Sequence, residues 1–167
     1  MHTDLNKMKL KLSSILIALI LISLSTELLI GSFMDWDSNF GPIALPNIAS
    51  REQISEGSSS ANLSINGDVE ISADNSAAAQ LSSAGDTLVT EYKLTFDGRP
   101  PSKTGAPDTT YQTYDQFLTT PVYITHKRHE NDVVVTLHVR ASNYANDVAD
   151  AGTYSATQTL TVHWVGP

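Results

Sequence analysis

Asp150-Ala-Gly-Thr-Tyr154-Ser-Ala-Thr-Gln-Thr-Leu160-Thr-Val-His-Trp-Val165 alternates from its tyrosine onward. Tyr154, Ala156, Leu160, Val162 and Trp164 share one parity, interrupted by Gln158. Ser155, Thr157, Thr159, Thr161 and His163 share the other. Successive side chains of a strand point to opposite faces, so the pattern predicts one half-buried β-strand over 154–165.

The approach to that strand narrows the fold. Asp150-x-Gly152-x-Tyr154 is how immunoglobulin-like sandwiches enter strand F, the tyrosine hydroxyl bonding back to the backbone at the corner. Ala156 stands where antibody domains place a cysteine. After Trp164 only Val165, Gly166 and Pro167 follow. The expectation is therefore an all-β, immunoglobulin-like sandwich that lacks its own C-terminal strand G.

The other end of the chain reads as an address. Lys7, Lys9 and Lys11 precede the apolar run Ile15–Leu24, the pattern of a secretory signal peptide. Cleavage is expected near Ser25, with Gly31 and Ser32 as later options; an uncleaved anchor is the alternative. The strongly apolar run is shorter than the ~20 residues that span a bilayer. Setting aside residues 1–25 removes three lysines and one aspartate, leaving 17 acidic against seven basic side chains, a formal charge of −10. Such a surface argues against nucleic-acid binding. The chain has no cysteine, so packing and strand pairing must hold the domain together.

In order along the chain, residues 26–60 read as a flexible extension, ending in the Ser/Gly linker Ser55-Glu-Gly-Ser-Ser-Ser60. The domain is expected over 61–167. Leu63, Ile65, Val69, Ile71 and Ala73 share a parity across Asn66-Gly67, which predicts one strand with a kink there. Asp74–Asp86 reads as a loop, Leu88–Phe96 as a strand, and Tyr111, Tyr114 and Phe117 as an irregular edge segment. Val122–Thr125 and Val133–Arg140 are further strands, with the polar turn His126–Asp132 between them. Roughly six strands result, at sandwich-like spacing.

No constellation supports catalysis. The chain has no Gly-x-Ser-x-Gly elbow and no phosphate-cradling glycine loop. Asp150 is better read as a turn-former than as an acid catalyst. Asp35 and Asp37 read as solvated carboxylates rather than a cation site. His126 and His129 read as a solvated turn, since no ligand set has metal spacing around them. His138 and His163 fall on polar parities. Tyr111, Tyr114 and Trp164 suit core or edge positions better than a sugar platform. The expectation is a non-enzyme with no cofactor and no metal.

Gly152-Thr-Tyr-Ser155 followed by the alternating Ala156–Trp164 resembles the closing strand of chaperone–usher pilus subunits and of the related spore coat protein U domains. The resemblance covers residues 60–165 in outline and about fifteen in detail. It implies an incomplete sandwich completed by a donated strand, with copies of itself or related subunits as partners and a periplasmic chaperone before them. The chain departs from many such proteins in having no disulfide and a longer, less regular extension. The expected acceptor groove is lined by Leu137, Val139, Leu160, Val162 and Trp164, beside the corner Asp150, Gly152 and Tyr154. Two donor segments suggest themselves: Ile43 and Leu45 in Ile43–Ile48, or Ala61, Leu63 and Ile65 in Ser59–Ile65.

The function these features imply is a secreted, cell-surface structural subunit, exported through the periplasm and assembled by strand complementation. The alternative is a monomeric secreted binding module for glycan or protein, closed by its own extension.

Overall fold

Strands account for nearly all the regular structure. They are β1 (Met34–Trp36), β2 (Ser55–Ile65), β3 (Asp68–Ala73), β4 (Ser82–Ser83), β5 (Asp86–Thr87), β6 (Val89–Asp97), β7 (Gln112–Thr113), β8 (Val122–Ile124), β9 (Asp132–Ser142) and β10 (Leu160–Gly166). One short 3-10 turn, Ala77–Ala79, interrupts them. The computed structural model describes residues 31–97, 108–125 and 132–166, and all of these strands lie in the unit that begins at Phe33. Among the described residues, no helix is long and apolar enough to cross a membrane.

Two antiparallel sheets form a sandwich. The larger has the order β1-β2-β9-β6-β7, the smaller β10-β3-β8, and β4–β5 is a separate hairpin. Alternation puts one face of each strand inside. Leu63, Ile65, Tyr92, Leu94, Val133, Val135, Leu137 and Val139 of the larger sheet share a core with Val69, Ile71 and Ile124 of the smaller. Phe117 and Leu118 are buried in the same core. The all-β expectation holds.

Several elements differ from the sequence reading. The run from Leu63 to Ala73 is not one kinked strand: it leaves the larger sheet after Ile65 and enters the smaller at Asp68. Both halves still bury the same parity, because a chain crossing between facing sheets keeps its inner side inward. Gly67 makes the crossing possible. A Cβ there would lie 2.0 Å from the Trp164 ring and 2.5 Å from the Gly166 carbonyl oxygen.

Ser55–Ser60 is not a flexible linker but the first half of β2, paired along its length with β9. The last strand is shorter than its alternation suggests. Regular pairing starts at Leu160, and within Tyr154–Thr159 the one bridge is Ser155 with Ser82. The loop Asp74–Asp86 holds the 3-10 turn and the β4–β5 hairpin. Its two-residue tip, Ala84-Gly85, has φ of 47° and 96°, as a type I′ turn requires. The expected signal peptide over residues 1–25 and residues 126–131 of the expected turn His126–Asp132 lie outside the described residues.

Candidate strand-acceptor site

β10 is the feature around which a site can be built. Its β-branched and aromatic residues favour a pleated strand, and it pairs with β3 from Leu160↔Ala73 to Trp164↔Val69. Among the described residues it has no partner on its other edge. The backbone N–H of Asp74 donates to the Thr159 carbonyl at 2.9 Å. Antiparallel partners alternate between bonded and non-bonded pairs, so Thr161 and His163 also direct their backbone groups toward β3. The N–H and C=O groups of Leu160 and Val162 then point to the open edge.

The side chains of β10 divide by face. Leu160, Val162 and Trp164 are partly buried against the core, while Thr161, His163 and Val165 are exposed. Leu160 and Val162, expected in the acceptor groove, are half-buried, and among the described residues no strand covers the edge beside them. An opening of about 250 Å³ lies there, between β10 and the edge strand β1, lined by Met34, Asp35, Trp36, Leu63, Leu160, Thr161 and Val162.

Leu137 and Val139 do not line that opening. They lie on β9 and face a second, larger cleft of about 980 Å³, with Tyr92, Ala141 and the segment Val148–Gln158. The expected groove is thus two openings along one side of the sandwich. Trp164 belongs to neither, being stacked over Gly67.

The larger cleft is roofed by the chain itself. Residues 40–50 line it, and Ile43 and Leu45 pack against the core. The seat for this strap is the inner face of β2, where alternate positions are small: Ser55, Gly57, Ser59 and Ala61. Gly57 is paired with Val139, and Ser59 with Leu137. A Cβ on Gly57 would lie 2.6 Å from Ile43 Cγ2 and 3.0 Å from Leu45 Cδ2. The Gly41 N–H donates to Ser59 Oγ at 2.8 Å, and Ser55 Oγ donates to the Pro46 carbonyl at 2.5 Å. Beyond the strap, Gln53 braces the return loop. Its Oε1 accepts from the Ala49 N–H at 2.7 Å, and its Nε2 donates to the Asn47 carbonyl at 2.9 Å.

This placement corrects the second donor segment. Ala61, Leu63 and Ile65 are fully occupied in β2, inside the five-stranded sheet, and are not available for donation. Ile43 and Leu45 already sit in their own chain's cleft. The strap was legible in the sequence as the segment Ile43–Ile48, but its seat was not, because Ser55, Gly57 and Ser59 read as a linker. The available signal was the small-residue parity Ser55, Gly57, Ser59, Ala61, running in phase with Leu63 and Ile65.

At the corner, Tyr154 Oη donates to the Asp150 carbonyl at 2.8 Å, four residues upstream. Tyr154 is itself only half-buried, not a core residue as its parity implied. Asp86 ties the corner to the β4–β5 hairpin, accepting from the Asp150 N–H at 2.5 Å and from Tyr154 Oη at 3.3 Å. Burial, and then the adjacent Asp86 carboxylate, push the Tyr154 hydroxyl above its usual pKa. Gly152 lies against Ser83, where a Cβ would come within 3.1 Å of Ser83 Oγ.

The outer face of the larger sheet is polar. Arg140 forms a bidentate pair with Glu91, Nε to Oε2 at 2.6 Å and Nη2 to Oε1 at 3.1 Å. The bond to Glu91 holds the guanidinium pKa above its usual value. Tyr111 lies on this face, its ring centroid 4.3 Å from the Arg140 guanidinium and 4.7 Å from Lys93 Nζ. His138 is half-buried, bonded to Thr95 Oγ1 at 2.9 Å, and burial and Lys93 lower its pKa. Among the described residues, no group of three histidine, aspartate or glutamate side chains is placed to hold a metal.

No family model matches the chain, and neither a curated protein nor a solved structure does.

Proposed function

We propose that the chain is a structural subunit of a secreted surface fibre or coat, joined to its neighbours by strand addition along β10. One observation carries the reading. The edge strands β1, β7 and β8 are two or three residues long, whereas β10 is seven residues long with one edge unpaired among the described residues. Short edges, lysine and proline are the usual protections against edge-to-edge pairing. Leu-Thr-Val-His-Trp-Val-Gly carries none of them.

Two further points support it. The order β1-β2-β9-β6 with β10-β3 reads as the A-B-E-D and F-C order of an immunoglobulin-like sandwich, with β10 as F and its open edge in the place of G. An opening lined by Met34, Trp36, Leu63, Leu160 and Val162, with Asp35 and Thr161 beside them, also lies at β10. A strand placed there with three apolar side chains inward would contribute roughly 5–9 kcal/mol before ordering costs, at ~1.5–3 each. The same reading takes residues 1–25 as an export signal and expects as partners copies of itself or related subunits, with a periplasmic chaperone protecting the edge beforehand.

The second reading, a monomeric binding module closed by its own extension, draws on the strap seated in its own chain's cleft. Sedimentation velocity of the purified chain over a hundredfold range of concentration separates the two. Strand addition predicts growth from monomer to larger species. A single monomeric boundary throughout would replace it with the binding module.

A further inference from the structure

We propose that Gln158 selects the strand added to this edge, by requiring a hydrogen-bond acceptor at one of its inward positions. The inference rests on the strand-addition reading and names the chemistry of the partner. That partner is one extended peptide segment, apolar at alternate positions and polar where it passes Gln158.

The accepting edge is longer than β10. Ser155 exchanges backbone bonds with Ser82, the Thr157 N–H donates to the Ala78 carbonyl, and the Thr159 carbonyl accepts from the Asp74 N–H. Thr161 and His163 continue the same series into β3. Alternate residues of a strand direct their backbone groups to opposite edges. Those of Ala156 and Gln158 therefore point away from Ala78 and Ser82, as those of Leu160 and Val162 point away from β3. Both residues line the larger cleft, which lies open between residues 40–50 and 148–158. An acyl chain or a sugar in that cleft would leave these backbone groups without partners, whereas a strand pairs with them.

Gln158 is the polar exception on an inward parity that otherwise carries Ala156, Leu160, Val162 and Trp164. Its Oε1 accepts from the Thr159 N–H at 2.9 Å, which identifies Nε2 as the free end of the amide. Nε2 is buried and has no hydrogen-bond partner among the described residues. Asn75 stands opposite, one position on from the Asp74–Thr159 pair, but its Oδ1 is unpaired as well, so the two side chains do not satisfy one another. Buried donors are nearly always paired in folded chains. The acceptor missing here is one that the incoming strand supplies, through a side-chain carbonyl at the position facing Gln158. An aliphatic residue at that position would keep the donor buried and unpaired.

The probe is an eleven-residue peptide of alternating threonine and leucine, whose central residue is replaced by asparagine or left as an inward leucine. Gln158 is the midpoint of Tyr154–Val162, so the central residue faces it whether the peptide lies parallel or antiparallel. Fluorescence anisotropy of the labelled peptides measures binding to the full chain and to Gln158→Leu. One net hydrogen bond corresponds to roughly tenfold in affinity. The parent should bind the asparagine peptide about tenfold more tightly than the leucine peptide, and Gln158→Leu should reverse that order. With the asparagine peptide bound, amide exchange should slow at Ala156 and Gln158 as well as at Leu160 and Val162. Equal binding of both peptides by the parent, protection confined to Leu160 and Val162, or an unchanged preference in Gln158→Leu overturns the selection and leaves strand addition standing. The parent decides this even if Gln158→Leu does not fold. If neither peptide binds the parent at any concentration, strand addition itself fails, and the selection with it.

Discussion

Gly67 and Tyr92 show how single residues hold the two sheets in place. Gly67 admits the Trp164 ring where the chain crosses between sheets, and no flexible side-chain end is available to yield. Gly67→Ala is expected to destabilise by at least ~1–3 kcal/mol, the usual cost of overpacking, read as a lower denaturant midpoint. Tyr92 is buried, and its Oη donates to the Ala79 carbonyl at 2.6 Å. Burial pushes its hydroxyl from 10.0 up to about 12. A raised pKa means that the fold favours the protonated form. The associated stability is complete below pH 10 and is lost as pH rises through 12. Tyr92→Phe should cost about 1 kcal/mol at neutral pH and should remove the largest part of the alkaline loss between pH 10 and 12. Equal slopes for both proteins in a pH series of denaturant melts would contradict this. Tyr154→Phe, at a half-exposed corner, should lower the midpoint by less than Tyr92→Phe does.

Strands differ in how plainly their sequences announce them, and the difference is physical. β9 was legible because Val133, Val135, Leu137 and Val139 all face one core on a strand with neighbours on both sides. β2 was half legible. Its first half uses Ser55, Gly57 and Ser59 inward, because the volume that larger side chains would fill belongs to the strap. Tyr154–Thr159 alternates as well as any strand in the chain, yet it lies largely exposed and bonds along one edge to residues 74, 78 and 82 without forming a regular ladder. Alternation records which face a residue suits, whereas a ladder also needs a partner. The candidate site was legible in its residue types at Leu160, Val162, Leu137 and Val139. Its division into two openings was not, since the β2 residues that seat the strap, Ser55, Gly57 and Ser59, read as linker. The same contrast gives a prediction. Leu63, fully buried, should lose ~2–5 kcal/mol on substitution by alanine. Leu160→Ala should fall below that range in the monomer and should weaken association more than Leu63→Ala does. Denaturant melts at low concentration and sedimentation at high concentration check the two halves of this statement.

For the whole molecule, charge and edge act against each other. The chain carries a formal charge of −8, so copies repel at long range while an unpaired edge invites contact at short range. Ionic strength of about 0.15 M screens beyond ~8 Å. Association should therefore strengthen with added salt, the opposite of a contact built on ion pairs; sedimentation at two salt concentrations reads the sign. The central claim is that the open edge of β10 is where neighbours attach. Residue-resolved amide hydrogen exchange of β10 tests it most directly, at a concentration where the chain is monomeric and again where it is associated. The amides of Thr161 and His163, directed at β3, should be protected in both states. Those of Leu160 and Val162 should exchange quickly in the monomer and become protected on association. If Leu160 and Val162 exchange as quickly in the associated chain as in the monomer, neighbours do not add a strand to β10.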